Sequence, residues 1–187
     1  MKLLALVLLL SIAVGYLLGG RLAGLGTLRL RWAPLAIVAL VLQVIVPSGG
    51  WPLVLLLASF VVLAAFVIAN RRIAGFWLIL AGVGLNFAVI GLNGGMPVSA
   101  SALEASGQAS TVGELTNPDH AVKHHLASPA DTAVFLGDVI AVPPPLGQAI
   151  SLGDICTYGG VAVVVISGMR RRIGAEPTAR EELQHAG

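Results

Sequence analysis

Two aspartates stand in matching settings, Phe135-Leu136-Gly137-Asp138-Val139-Ile140 and Ser151-Leu152-Gly153-Asp154-Ile155-Cys156. Each carboxylate follows a glycine and precedes an apolar run, in a chain that is otherwise rich in hydrocarbon. An ionisable group beside hydrocarbon is costly and is a functional candidate by default. If the two meet in one apolar site, both cannot ionise cheaply, and one keeps its proton near neutral pH. Such a pair can hydrolyse an acyl bond: the charged member activates water, and the protonated one polarises the carbonyl and later donates to the leaving amine. Asp138 and Asp154 are therefore the candidate catalytic pair. Their neighbours Gly137, Ser151 and Gly153 are candidate substrate contacts.

Local patterns also give these residues structural work. Ser151-Leu152-Gly153-Asp154 matches a capping box at the start of a helix. The stretch Ala133 to Val142 around Asp138 is too short to span a bilayer and too apolar for an open loop, so a re-entrant or interfacial segment lining a cavity is expected. Pro143-Pro144-Pro145 then forces a turn, and Ile150 leads back, so the chain returns to its starting depth and the two aspartates can face each other.

Other polar groups cluster upstream. Asn93-Gly94-Gly95-Met96-Pro97-Val98 reads as a helix exit turn, with the Asn93 amide free to meet a polar substrate group. In Asn117-Pro118-Asp119-His120-Ala121-Val122-Lys123-His124-His125, the residues His120 and His124 are four apart and would share a helix face, with Asp119 as N-cap. No His-Glu-x-x-His pattern accompanies them, so the expectation is no metal and no cofactor. A metal held by His120, His124 and His125 is the alternative. Lys123 and the histidines, His124 among them as a candidate binding residue, would otherwise meet lipid phosphates.

The elements that must position these groups follow from composition. Hydrophobic residues make up 57% of the chain and charged residues 11%, with a mean hydropathy of +0.92, which excludes an ordinary soluble domain. The net charge is only +2, and the arginines are clustered rather than spread over a nucleic-acid-sized face. Cys156 is the single cysteine, so no intrachain disulfide or cysteine-based metal site is available. The expected fold is an all-α polytopic membrane protein of about five transmembrane helices. Leu3 to Gly19, Ala33 to Val46, Trp51 to Ala69, Gly75 to Leu92 and Leu152 to Met169 are the apolar runs that fit a hydrocarbon layer of about 30 Å, the second of them only just.

The basic residues orient these runs. Arg21, Arg29 and Arg31, then Arg71 and Arg72, then Arg170 to Arg172 all fall on one side only if five segments cross. The N-terminus is then outside and the C-terminus cytoplasmic. Residues 1–92 hold four spans, 93–150 form one long external loop, 151–172 form the last span, and 173–187 form a flexible cytoplasmic tail. The first run lacks an Ala-x-Ala-like site and is expected as a retained helix rather than a cleaved signal. Gly15 and Gly19 give a small-xxx-small spacing suited to close helix approach. Between Ser99 and Thr116 the chain is small and polar, with a short helix open to Ala100 to Ala105.

The Asn-Gly-Gly turn, the Leu-Gly-Asp-Val-Ile segment and the Ser-x-Gly-Asp start of the last span together resemble a family of uncharacterised bacterial multi-pass membrane proteins, a domain of unknown function. Over Val134 to Arg172 the chain is also similar to the bacterial lipoprotein signal peptidases. Asp138 in its Phe-Leu-Gly-Asp-Val-Ile string and Asp154 in Ile-Ser-Leu-Gly-Asp match that family's two catalytic aspartates, and Asn93-Gly94-Gly95 loosely matches its Asn-x-Gly-Ala motif. The chain departs from that pattern in having Ser151 where the peptidases carry asparagine, in lacking an Asp-Arg pair before Asp138, and in having five expected spans rather than four. The resemblance implies a membrane-embedded aspartyl hydrolase or peptidase of the bacterial cytoplasmic membrane, acting at its outer face on a lipoprotein, peptide or lipid-linked substrate. The expected partners are membrane lipids and that substrate, with no nucleic acid. The alternatives are a non-enzymatic protein that binds or transports a lipid headgroup or small solute, and an accessory subunit of a membrane complex.

Overall fold

The computed structural model describes residues 2–45, 52–116 and 123–171. Its helices are α1 (Lys2–Leu17), α2 (Leu22–Leu25), α3 (Ala33–Ile45), α4 (Pro52–Ala69), α5 (Phe76–Asn93), α6 (Ala100–Ala105), α7 (Thr111–Leu115) and α8 (Leu152–Met169). Four three-residue strands sit between α5 and α8: β1 (Met96–Val98), β2 (His124–Leu126), β3 (Ile140–Val142) and β4 (Gln148–Ile150), with a 3-10 turn over Val134–Leu136. The protein is therefore mostly helical but not all-α. An apolar loop lying over a helix bundle has backbone amides to satisfy, and short strand pairs satisfy them.

The long apolar helices neighbour one another in the order α3, α4, α5, α8, α1. Two of them, α5 and α8, are long and apolar enough to cross a membrane. The other apolar stretches, Lys2–Leu17, Ala33–Gln43 and Leu53–Ala69, are shorter, so five full-length spans are not supported. The first helix stops at Leu17 because Gly19 turns the chain with φ +77°, and α3 starts only after Trp32, which also has positive φ. The expected turn at Pro47 to Gly50 and the tail beyond Arg171 lie outside the described residues.

The seam between α5 and α8 is made of glycine. Gly75 and Gly82 on α5's side are seven positions apart, as are Gly153 and Gly160 on α8, and the two sets meet in antiparallel register. A Cβ on Gly160 would lie 2.7 Å from the Gly75 carbonyl oxygen, one on Gly153 would lie 2.8 Å from the Gly82 carbonyl oxygen, and one on Gly82 would lie 2.7 Å from the Thr157 nitrogen. Only hydrogen fits, so the backbones can touch. On the other side of α8, Gly15, Gly20 and Gly24 lie against Gly168 and Met169. Gly15 thus acts in helix packing as its spacing predicts, but Gly19 does not, since a Cβ added there would meet nothing within 4 Å.

Buried apolar side chains fill the remaining interfaces. Leu56, Phe60, Val83, Val89, Ile90 and Met96 form one cluster between α4, α5 and β1, and Phe66, Val67 and Phe76 form another at the opposite end. The outward faces are apolar too: Leu9, Leu17, Ile37, Val61, Trp77 and Leu92 are each more than half exposed. A water-facing surface rarely tolerates so many.

We expect Gly82→Leu and Gly160→Leu to destabilise the protein by more than about 2 kcal/mol through overpacking, while Gly84→Leu, which meets open space, leaves it unchanged or slightly firmer. Thermal unfolding in detergent measures this. Equal losses at all three positions would show that the seam is not the limiting interface.

Candidate functional site

The site is hung from the C-terminal end of α5. Asn93 is its last residue, and Gly94 takes the left-handed conformation (φ 70°) that turns the chain into β1. The Asn93 amide donates to the carbonyl of Thr132 at 2.9 Å and accepts from its N–H at 2.7 Å. A further bond runs to the Val89 carbonyl at 2.8 Å. The residue expected to meet substrate clamps α5 to the loop that carries Asp138.

From that clamp the chain passes through Ala133, held at φ 53°, and a 3-10 turn to Gly137. A Cβ there would collide with the Pro97 carbonyl oxygen, so glycine is needed for the backbone approach that follows. Asp138 donates its N–H to Pro97 O at 2.9 Å, and its carbonyl accepts from Ser99 N at 3.1 Å. β1 also pairs in parallel with β2, setting Met96 against His124. The buried strand β1 thereby holds Asp138 on one side and His124 on the other.

Strand periodicity separates the histidines, since successive side chains point to opposite faces. The His124 Nε2 lies 3.7 Å from Asp138 Oδ2, too far for a hydrogen bond. His125 instead bonds Asp131 at 2.9 Å, and the second Asp131 oxygen accepts from Ser128 N at 2.7 Å. Asp131 is thus committed to closing its own loop. The His120–His124 helix pair falls partly outside the described residues, and His124 itself lies on a strand; among the described residues no three metal-ligating side chains converge.

Asp154 arrives through the hairpin. Pro143 to Gly147 close the turn, and β3 and β4 pair antiparallel with Ile140 opposite Ile150, which returns the chain to the level of Asp138. Here Ser151 caps α8 with the full reciprocal box: Asp154 N donates to Ser151 Oγ at 3.0 Å, and Ser151 N donates to Asp154 Oδ2 at 3.2 Å. The expected capping role is real. It is joined by a partner from α5, because Asn86 donates to Asp154 Oδ1 at 3.0 Å and accepts from Ser151 Oγ at 2.9 Å. Gly153 is required beneath this network, since a Cβ would collide with the Asn86 side chain.

Asp138 and Asp154 both line a cavity of about 270 Å³, together with Gln43, Asn86, Lys123 and His124 and apolar walls from Leu56, Phe60, Ile90 and Met96. Their environments differ. Both carboxylate oxygens of Asp154 have a donor, whereas among the described residues Asp138 Oδ1 is buried without a hydrogen-bond partner, as is Gln43 Nε2. Burial, and then the charge of Asp154, push the Asp138 carboxyl up to about 7. A second cavity of about 280 Å³, between α6, α7 and β4, shares His124 and Asp138 with the first. These two residues stand as the partition between a cavity over the bundle and one under the outer helices.

The framework that builds this site coincides with a recognised family. Residues 27–166 match the model of the DUF5317 family of unknown function. The chain belongs to that family. The matched span carries α3 to α5, the strand-rich cap, and most of α8, with all residues of the site. An uncharacterised protein of Thermotoga maritima is 34% identical over 131 residues, covering 68% of this chain and 71% of that protein. No solved structure matches.

Asn86 and Gln43 were not among the residues the motifs singled out. Each is a polar amide within an apolar run, which is signal enough, because such groups are expensive in hydrocarbon and need partners. What no local pattern shows is that the Asn86 partner lies 65 residues away in Ser151.

The raised carboxyl has a consequence for stability. An ordinary aspartate ionises near 3.8, while Asp138 in the fold keeps its proton to about 7. The native state therefore binds the extra proton between these values, and stability falls as pH rises through that window. Asp138→Asn should remove the fall, a gain on the order of 4 kcal/mol at pH 8 relative to pH 4. Thermal unfolding of both proteins across this range checks it; parallel curves would refute it.

Proposed function

We propose that this protein is a multi-pass membrane hydrolase whose dyad, Asp138 and Asp154, acts at the outer face on a peptide or lipid-linked substrate. The observation that carries this reading is the unequal pair in one cavity: a desolvated Asp138 that holds a proton near neutrality, beside an Asp154 whose oxygens are ordered by Asn86 and Ser151. In the reaction, Asp154 takes a proton from water as its oxygen attacks the carbonyl carbon, and Asp138 gives its proton to the carbonyl oxygen. The tetrahedral diol then collapses. Asp154 passes its proton to the leaving nitrogen, and Asp138 recovers one from the diol hydroxyl, so both return to their starting states. The walls from Leu56, Phe60, Ile90 and Met96 suit an apolar segment of substrate, and the remaining lone pairs on Asp154 leave room for the water.

The membrane part of the reading has separate support. Apolar side chains lie exposed along α1, α3, α4, α5 and α8. Arginines 29, 31, 71 and 72 line one cavity, and Arg21 N bonds Met169 O next to Arg170, so the basic clusters share the end of the bundle remote from Asp154. That asymmetry fits five membrane-embedded helices in a bacterial cytoplasmic membrane, with arginines inside and the strand-rich cap outside.

A second reading, binding of a lipid headgroup or small solute without turnover, is favoured by one observation. Asp138 Oδ1 and Gln43 Nε2 are an acceptor and a donor, both buried, both unpaired among the described residues, and both from residues lining the same cavity. Comparative membrane proteomics separates the two. Cells lacking the protein should accumulate an uncleaved substrate, wild type should restore its cleavage, and Asp138→Asn and Asp154→Asn should each fail by at least about a hundredfold in rate while remaining extractable and folded. Full rescue by either variant would sink the hydrolase and leave the binding protein.

A further inference from the structure

At the end of the bundle opposite the two aspartates, the segment before α3 and the α4–α5 turn enclose a cavity of about 310 Å³ lined by Arg29, Arg31, Asn70, Arg71, Arg72 and Ile73. Four arginines around one concavity, all of them exposed, concentrate positive charge there. Among the described residues none of the four makes an ion pair with a carboxylate. The convergence is enforced by the fold. Asn70, only 4% exposed, accepts from the Arg31 N–H and donates to the Arg31 carbonyl, both at 2.8 Å, with a further bond to Phe66 O at 2.8 Å. This buried amide pins the Arg29–Arg31 segment onto the end of α4, beside Arg71 and Arg72.

The neighbouring backbone is strained in the same place. Trp32 is held at φ 56°, a conformation that bulky side chains rarely adopt, and the Arg31 guanidinium lies 6.0 Å from the centre of its exposed ring. A tryptophan and a stacked arginine at the rim of a basic cavity are features of sites at the level of lipid headgroups. We propose that this cavity binds a phosphate-bearing anion through the guanidinium groups of Arg29, Arg31, Arg71 and Arg72. Phosphate matches the planar forks of several arginines at once, which a single carboxylate cannot do. The volume leaves room for a small esterified group beside the phosphate. The site is separate from the aspartates and does not depend on their chemistry.

The test uses the full chain purified in detergent, titrated with phosphatidylglycerol, with phosphatidylcholine, and with inorganic phosphate, and read by thermal shift and native mass spectrometry. Phosphatidylglycerol or inorganic phosphate should bind and raise the melting temperature, and phosphatidylcholine should do so at least tenfold less well. Stabilisation by the lipid alone identifies a headgroup as the source, and stabilisation by inorganic phosphate identifies a free anion; each supports the site. Arg71→Ala with Arg72→Ala should weaken binding at least tenfold, and Arg29→Gln gives an independent reading should that pair fail to fold. Arg170→Ala with Arg171→Ala removes the same charge from the same end of the molecule but outside the cavity, and should change binding less than twofold. Equal loss in the two double variants, or no preference for the anionic probes, would overturn the proposal.

Discussion

The contact between α5 and α8 is the constraint on which the rest of this molecule depends. Helices whose outward faces are as apolar as the faces they pack gain little from hiding apolar surface against each other, so close packing and hydrogen bonds between them decide the association. Gly75 and Gly82 against Gly160 and Gly153 provide the first, and Asn86 against Ser151 and Asp154 provides the second. The two requirements fix the same register. A slip of one helical turn, about 5.4 Å, would set side chains against carbonyls along the seam and at once strand the Asn86 amide without its partners. Because Ser151 caps α8, the register also fixes where the hairpin must end and therefore the level of β3 and of Asp138 just before it.

From this contact follows the inequality of the two aspartates. Asp154 belongs to the framework: its carboxylate closes a capping box and receives a donor from the neighbouring helix. Asp138 belongs to the cap, where only its backbone is engaged, through Pro97 and Ser99. Its side chain is nearly enclosed, and among the described residues its Oδ1 has no hydrogen-bond partner, a setting that favours the protonated carboxyl. Two residues of one type are thus set apart, Asp154 fully hydrogen-bonded and Asp138 undersatisfied, by which element each one sits on.

The sequence patterns that proved legible were the local ones. The capping box at Ser151 and Asp154, the helix at Ala100 to Ala105 with Ser99 accepting at its cap, the exit turn at Gly94 and the proline-forced reversal after Val142 each involve residues a few positions apart, and each is present. The strands were not legible, because three residues are too few for an alternating pattern and their apolar character reads equally well as an interfacial segment. The histidines illustrate the same limit. A spacing of four suggests one face of a helix, yet pairing with β1 makes His124–Leu126 a strand and turns His124 and His125 away from each other, the one beside Asp138 and the other onto Asp131. Asn93 was visible as a capping residue, but its partner at Thr132 is 39 residues on, beyond any local signal.

That clamp has a counterpart which explains how so thin a protein holds charged groups in place at both ends. Asn70, just past the end of α4, and Asn93, at the end of α5, make the same three bonds. Each side chain donates to the carbonyl four residues back, donates to the carbonyl of a distant residue, and accepts from that residue's own N–H. The amide acts as a one-residue strand, satisfying a pair of backbone groups that the helix terminus cannot reach and that hydrocarbon would leave costly. At one end the device fixes Arg31 among the arginines, and at the other it fixes Thr132 just before the turn that carries Asp138. Both loops can then be short of hydrophobic core and still hold their charges in a preorganised geometry, which is what binding or acid–base chemistry requires of a loop.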